Sequence, residues 1–239
     1  MIEEILPDSV IAVDTREDWA EVVLSTAEEA SLGQAVDKRR HEFVTARGCA
    51  HRALTGLGLP LSSIPTGPFG EPQWPPGVVG SITHCAGYRA CAVAHARDVT
   101  SMGIDAEPHE ALPDGVLAEI TLAGERIWLG ELMHAEPAVH WDRLIFSAKE
   151  AVYKAWFPLA RRRLGFEDAM ITVDPPRKVF RTRLLVSGPL VGRKRLTSFK
   201  GYWLVRDGLI LTAITVPGSR KISSGPAGFP LQIPAFHSG

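Results

Sequence analysis

Three carboxylates and two lysines stand in two short segments of this 239-residue chain, and together they suit one kind of chemistry. The first segment is Gly103-Ile104-Asp105-Ala106-Glu107, and the second is Phe146-Ser147-Ala148-Lys149-Glu150-Ala151-Val152-Tyr153-Lys154-Ala155-Trp156. In a strand, Asp105 and Glu107 share one face, because alternate residues point to the same side of a pleated backbone. In a helix, Glu150 and Lys154 lie one turn apart, with Lys149 beside them. Carboxylates next to lysines suit a hard divalent cation that holds phosphate oxygens. Mg²⁺ in particular takes one or two carboxylates, keeps waters, and fills its other positions from substrate phosphate. Residue chemistry alone thus points to metal-assisted phosphoryl transfer. The plainer readings are two exposed acids leaving a strand before Pro108, and a Glu150–Lys154 helix pair worth roughly 0.2–0.5 kcal/mol.

The pattern around these residues predicts the elements that position them. A helix is expected over 147–159, with Ser147 capping its free N–H groups and Val152, Ala155 and Trp156 forming the buried stripe. A second helix is expected over 37–57, where Phe43, Ala50, Leu54 and Leu57 recur on one face, and a third around 117–132. Strands are expected at 10–13, 78–84, 88–95 and 101–107, then at 169–173, 179–186, 202–206 and 209–216. Residues 58–77 hold six prolines and read as a loop. Helices mixed with hairpin-like strands, without strict alternation, predict an α+β fold. A lobe boundary is expected near Met102, dividing the chain into residues 1–102 and 103–216. The Gly-, Ser- and Pro-rich tail 217–239 lacks a core pattern and reads as flexible.

Composition narrows the function classes. A formal net charge of −1 argues against a general nucleic-acid binder. No apolar run is long enough for a membrane span, and Glu3, Glu4 and Asp8 do not make the basic start of a secretory signal. Three cysteines, Cys49, Cys85 and Cys91, are too few and too scattered for a disulfide framework or a zinc site. A cytoplasmic protein with reduced thiols, two of them buried, is the expectation.

In their order and spacing the two opening segments resemble the signature of the 4′-phosphopantetheinyl transferase superfamily, loosely G-(I/V)-D-x-E followed by (F/W)-(S/C)-x-K-E-(A/S)-x-x-K. Val79-Gly80-Ser81-Ile82-Thr83-His84 and the basic helix near Arg39 and Arg47 extend the resemblance. Trp156-Phe157-Pro158-Leu159 and Leu164-Gly165-Phe166-Glu167-Asp168 make it look closest to the actinobacterial branch of the single-chain type. The resemblance implies two similar lobes related by a pseudo-twofold axis, with the active site between them. It implies transfer of 4′-phosphopantetheine from coenzyme A to a serine of apo acyl or peptidyl carrier proteins, with Mg²⁺ (or Mn²⁺) as cofactor, by a monomer. Alternatives are a carrier-binding module without catalysis and a Mg²⁺-dependent nucleotide hydrolase.

The same resemblance assigns roles. Glu150 completes the metal set of Asp105 and Glu107, and is the expected base for the serine proton, directly or through a metal-bound water. Lys149 is the expected cation at the leaving diphosphate, and Lys154 a second phosphate contact or a partner holding Glu150. Ser81, Thr83 and His84 are expected to line the coenzyme A site, with Thr83 facing the diphosphate and His84 the 3′-phosphate. Arg39 and Arg47 flank Phe43 by about 40° on either side, where they can reach a cleft edge, and are matched as further 3′-phosphate contacts. Arg52 reads as solvated. Some relatives carry lysines in the Pro-rich loop near positions held here by Thr66 and Phe69; the Gly67–Pro72 turn is still expected to meet adenine. Carrier surfaces are commonly acidic, so Leu112, Val116 and Leu117 with the run Arg161-Arg162-Arg163 form the expected dock.

Overall fold

A long helix laid directly on an antiparallel sheet brings the two segments together. The computed structural model describes residues 1–33 and 36–218; apart from Pro217 and Gly218, the tail expected to be flexible lies outside the described residues. The first half comprises β1 (Ile11–Thr15), α1 (Thr26–Leu32), α2 (Asp37–Gly56), β2 (Val78–Cys85), β3 (Tyr88–His95) and β4 (Val99–Pro108). Then come α3 (Val116–Ile120), α4 (Ala123–Ala135), α5 (Trp141–Ala160), β5 (Ala169–Asp174), β6 (Val179–Leu184), β7 (Leu190–Val191), β8 (Lys194–Arg195), β9 (Ser198–Arg206) and β10 (Leu209–Pro217). The class is α+β, with a three-stranded sheet in the order β1-β3-β2, a five-stranded sheet in the order β4-β10-β9-β6-β5, and a small β7–β8 hairpin. Among the described residues every strand pair is antiparallel.

Each sheet carries its own long helix. Cys49, Ala50, Ala53 and Leu54 of α2 pack on Cys91 and Val93 of β3. Leu144, Ala148, Ala151, Val152, Ala155 and Trp156 of α5 pack on Phe180, Trp203, Ile210 and Ile214 of the larger sheet. The other face of β4 and β10 meets β3 through Met102, Ile104, Leu211 and Ala213 against Tyr88, Ala90 and Ala92. Gly103 explains how closely α5 can lie on β4: a Cβ there would collide with the Ala151 carbonyl and the Ala155 amide. The neighbouring Ser101 hydroxyl donates to the Ala155 carbonyl at 2.7 Å and pins the same contact.

Two buried acids perform matching tasks in the two halves. Glu28 of α1 accepts from the Ser25 amide at 2.9 Å, contacts His51 Nε2 of α2 at 2.8 Å and accepts from the Ile64 amide at 3.0 Å. Glu125 of α4 accepts from the Leu122 amide at 2.7 Å, from Lys149 of α5 at 2.9 Å and from the Ile171 amide at 2.6 Å. Each thus caps its own short helix, holds a base on the following long helix and ties down a later segment.

Two expectations are corrected. Helix α5 starts at Trp141 rather than Ser147, because Trp141, Leu144 and Ile145 continue its buried stripe upstream; the Ser147 hydroxyl instead pairs with Thr212 at 2.9 Å. The helix expected over 117–132 is broken at Thr121 and Leu122 into α3 and α4, both of those residues being extended. Residue 102 lies inside β4, which pairs with β10 along its whole length.

Candidate active site

The β4–α5 contact places Asp105 under α5. Its carboxylate is buried: Oδ1 accepts from Lys154 Nζ at 2.7 Å and from the Thr83 hydroxyl at 3.2 Å. Asp105 Oδ2 is buried too and has no hydrogen-bond partner. Glu107, two residues along, accepts from Arg143 Nη1 at 3.0 Å. Arg143 also donates to the carbonyls of Glu110 and Ala111, clasping the segment that leaves β4. Sequence reasoning missed this arginine. Its signal was the spacing of Arg143, Ser147, Glu150 and Lys154, which recur at i, i+4, i+7 and i+11 along one face of α5.

The acids feel one another. Burial, reinforced by the charge of Asp105, pushes the Glu107 carboxyl up to about 7. Burial and the same Asp105 charge raise Glu150, with Lys154 opposing them. Lys154 bonds Asp105 across the interface, rather than forming the Glu150–Lys154 helix pair.

Two cavities meet at Glu150. The larger, about 440 Å³, runs between the Phe69–Trp74 loop, the start of β2 and the last turns of α5, where Lys154, Phe157 and Arg161 line it. The smaller, about 250 Å³, is walled by Lys149, Val152, Tyr153, Leu164 and Phe166. Glu150 and Tyr153 border both. At the rim of the larger one, Phe69 packs on Phe157 with ring centroids 5.4 Å apart, and Arg161 stands 3.8 Å from Glu71.

Family models match most of this frame, leaving out β1 and β10. Residues 27–94 match the 4′-phosphopantetheinyl transferase N-terminal domain, and residues 101–204 match the 4′-phosphopantetheinyl transferase superfamily. The chain is 52% identical over 209 residues to 4′-phosphopantetheinyl transferase Svp of Streptomyces mobaraensis, covering 86% of this chain and 85% of the relative. It is 49% identical over 222 residues to 4′-phosphopantetheinyl transferase Npt of Nocardia iowensis, covering 90% and 99%, respectively. It is 51% identical over 194 residues to 4′-phosphopantetheinyl transferase PptT of Mycobacterium tuberculosis, covering 79% and 85%. The chain belongs to the 4′-phosphopantetheinyl transferase superfamily.

As a phosphopantetheinyl transferase it should meet a divalent cation and coenzyme A, and its residues meet them unequally. Among the described residues, no three acid, histidine or cysteine side chains are gathered at metal-holding separations. The physical reason is that Lys154 draws Asp105 and Arg143 draws Glu107. The donor chemistry nevertheless fits Mg²⁺: Asp105 keeps a buried oxygen without a partner, and burial with the Asp105 charge raises the proton affinity of Glu107 and Glu150.

Lys149 departs from expectation. Its ammonium is buried and donates to Glu125, to the Phe166 carbonyl at 2.8 Å and to the Ala169 carbonyl at 3.2 Å, so it does not stand free for a diphosphate. Burial pulls its pKa down and Glu125 opposes that. Ser81 and Thr83 are also engaged: their hydroxyls accept from the Ile104 and Ala106 amides at 3.0 and 3.1 Å, joining β2 to β4.

The expected 3′-phosphate contacts divide. His84 is half exposed, with Nδ1 3.6 Å from Glu42; burial lowers its pKa, Glu42 opposes, and Lys154, Arg89 and Arg39 add to the lowering. Arg39 is exposed and lies within electrostatic reach of His84. Arg47 turns inward: it is buried, stacks on Phe43 at 4.4 Å and donates to Thr66 at 3.1 Å, while its Nε has no partner. Arg52 is not merely solvated, since its guanidinium lies 3.7 Å over the Trp19 ring. Glu42, which also faces Arg89 at 3.8 Å, was not foreseen. Arg161 borders the larger cavity and Arg163 the smaller, while Leu112, Val116 and Leu117 are half-buried against the core. Cys49 and Cys91 are buried, as expected.

Proposed function

We propose that this transferase moves 4′-phosphopantetheine from coenzyme A to a serine of apo acyl and peptidyl carrier proteins. The serine oxygen forms a bond to the β-phosphorus. The bond from that phosphorus to the bridging oxygen breaks, and adenosine 3′,5′-bisphosphate leaves with the electron pair. The observation that carries this reading is the meeting of two cavities at Glu150, beside the Lys154–Asp105 pair. The donor has two unlike halves joined by a diphosphate. The larger cavity suits the nucleotide and the smaller one, walled by Val152, Leu164 and Phe166, the pantetheine arm, which sets the reacting phosphorus near Glu150.

The side chains then divide the work. Glu150, whose proton affinity is raised by burial and by Asp105, accepts the serine proton. Lys154 bridges Asp105 and the larger cavity, where it can hold a diphosphate oxygen. Lys149, held by Glu125, positions the neighbouring Glu150 from within the core. The family resemblance gives Arg39 and His84, which line neither cavity, the 3′-phosphate, and Arg47 stiffens the Pro-rich loop through Thr66. When bound, Mg²⁺ or Mn²⁺ held by Asp105, Glu107 and Glu150 supplies the positive charge that a dividing diphosphate needs.

In this reading the chain forms two similar lobes related by a pseudo-twofold axis, residues 1–102 and 103–216, with the reaction between them. The matching tasks of Glu28 and Glu125, and the one sheet and one long helix of each half, support that view. The working unit is a cytoplasmic monomer. Incubating an apo carrier with the protein, coenzyme A and Mg²⁺, followed by mass spectrometry of the carrier, tests the function. A gain equal to the phosphopantetheine arm supports it. Nucleotide breakdown without carrier gain would make the protein a hydrolase, and carrier binding without reaction would make it a docking module.

A further inference from the structure

Residues 175–206 contain nine basic side chains and no Asp or Glu, in a protein of formal net charge −1. The remaining residues hold 17 of the 26 basic side chains against all 27 acidic ones, so charge is segregated along the chain rather than mixed. The fold gathers part of the basic run on one surface. Phe180, Phe199 and Trp203 point from β6 and β9 into the core under α5. The alternate residues Arg181, Arg183 and Lys200 therefore project from the opposite face, and all three are exposed.

The register makes this face costly. Arg181 lies directly across from Lys200, with Thr172 on its other side, and Arg183 lies between Met170 and Ser198. Like charges directly opposite in an antiparallel ladder are destabilising. Asp174 lies within electrostatic reach of Arg181, but it is bonded to Arg177 at 2.8 Å. Arg183 reaches only the Met170 sulfur, at 3.6 Å, and Lys200 donates to the Tyr202 hydroxyl at 2.7 Å. Lys200 also sits 4.6 Å over the Tyr202 ring, but the Arg181–Lys200 pair forms no ion pair with an acid among the described residues, so the face suits an anionic surface from outside the chain.

The face lies on the side of the sheet away from α5, but the edge strand β5 separates it from the smaller cavity by a single residue. Ala169 lines the smaller cavity, and the next residue, Met170, touches Arg183 on one side and packs near Gly124 of α4 on the other. We propose that the β6–β9 face is a docking surface for the acidic surface of the carrier protein, gripping it beyond the serine-bearing contact. This inference rests on the carrier-protein reading above. A long polyanion such as nucleic acid fits less well, because the excess of acids outside residues 175–206 would repel it as it ran on. A compact acidic domain meets only the basic patch.

The test uses Lys200→Glu and the double variant Arg181→Glu/Lys200→Glu in the full chain. None of these residues belongs to the catalytic or coenzyme A machinery. Lys200→Glu turns the cationic pair into an ion pair, so its Tm should rise by about 1–4 °C. Its Kd for a fluorescently labelled apo carrier should nevertheless weaken, by about 2- to 5-fold at low ionic strength. The double variant should weaken Kd by about 10-fold, and the difference from wild type should fade as salt is raised to about 1 M. Transfer to a short peptide carrying the acceptor serine should be unchanged in both. A rise in Tm with an unaltered carrier Kd would overturn the inference, as would equal losses with carrier and peptide. Tighter binding of duplex DNA than of carrier, lost in the variants, would overturn it in favour of nucleic acid. Failure of the wild type to modify either acceptor would sink the proposed function, while the Kd series would still decide this surface.

Discussion

Replacing Lys149 with methionine should damage stability before it damages chemistry. The Lys149 ammonium and the Glu125 carboxylate are withdrawn from solvent, with side-chain exposures of 2% and 0%. Lys149 makes three bonds, to Glu125, Phe166 and Ala169, and methionine of similar length makes none of them. Glu125 would keep only the Leu122 and Ile171 amides, leaving a buried charge without its counter-charge. Removing one partner of such a pair costs about 3–5 kcal/mol. That is a large share of the ~5–15 kcal/mol that holds a typical native protein together. Urea unfolding should show the midpoint falling with the slope unchanged. The double variant Glu125→Gln/Lys149→Met removes the stranded charge and should recover about 1–3 kcal/mol relative to the sum of the single changes. If Lys149→Met unfolds at the wild-type urea concentration and loses only transfer, the amine works on the diphosphate and the account of it as an internal post is wrong.

Asp105→Ala should lower turnover and raise the Mg²⁺ concentration needed for half-maximal transfer, and should abolish any rise in Tm that Mg²⁺ gives the wild type; near-normal transfer at low Mg²⁺ would remove Asp105 from the metal set. Arg39→Ala should raise the KM for coenzyme A by about 10-fold, the lower end for a charged hydrogen bond because Arg39 is exposed, while sparing dephospho-coenzyme A. Gly103→Ala should destabilise by about 1–3 kcal/mol or more in chemical denaturation, since its methyl group must displace the backbone of α5. Glu28 is buried, which alone would raise its pKa, but its bonds from Ser25, Ile64 and His51 outweigh burial and hold it below the ordinary value of 4.5. Its stabilisation is therefore present above that ordinary value and lost as pH falls through the folded one, so wild type should lose more stability than Glu28→Gln on acidification below about pH 5.

Much of the fold was legible because its signals are local. The β2–β3 hairpin and the strands from Ala169 onward follow apolar runs and turn residues, and the observed bounds fall within a few residues of those expected. The start of α5 was misplaced because a hydroxyl at Ser147 looked like a cap, while the stripe of Trp141, Leu144 and Ile145 had already begun. The break between α3 and α4 carries no glycine or proline, and the tertiary bond from Glu125 to Ile171 shapes it. At the site, strand periodicity put Asp105 and Glu107 on one face, whereas their meeting with the α5 segment rested on the family resemblance. The fate of Lys149 could not, because it depends on an acid 24 residues earlier in the chain. Arg47 was missed in direction rather than in kind: the helical angle placed it at a cleft edge, but the Pro-rich loop folds over it and Thr66 takes its guanidinium.

The two hydroxyls of Ser81 and Thr83 have a mechanical consequence. Beta strands β2 and β4 run side by side, yet they belong to different sheets, and side-chain oxygens rather than a ladder of carbonyls receive the Ile104 and Ala106 amides. A ladder resists sliding in every rung at once, whereas a seam of two hydroxyl rivets can shear without unravelling either sheet. Thr83 also touches Asp105 with the same oxygen that takes the Ala106 amide. Any slip along this seam is thereby transmitted to the buried Asp105 carboxylate, so the join between β2 and β4 doubles as a lever on that acid.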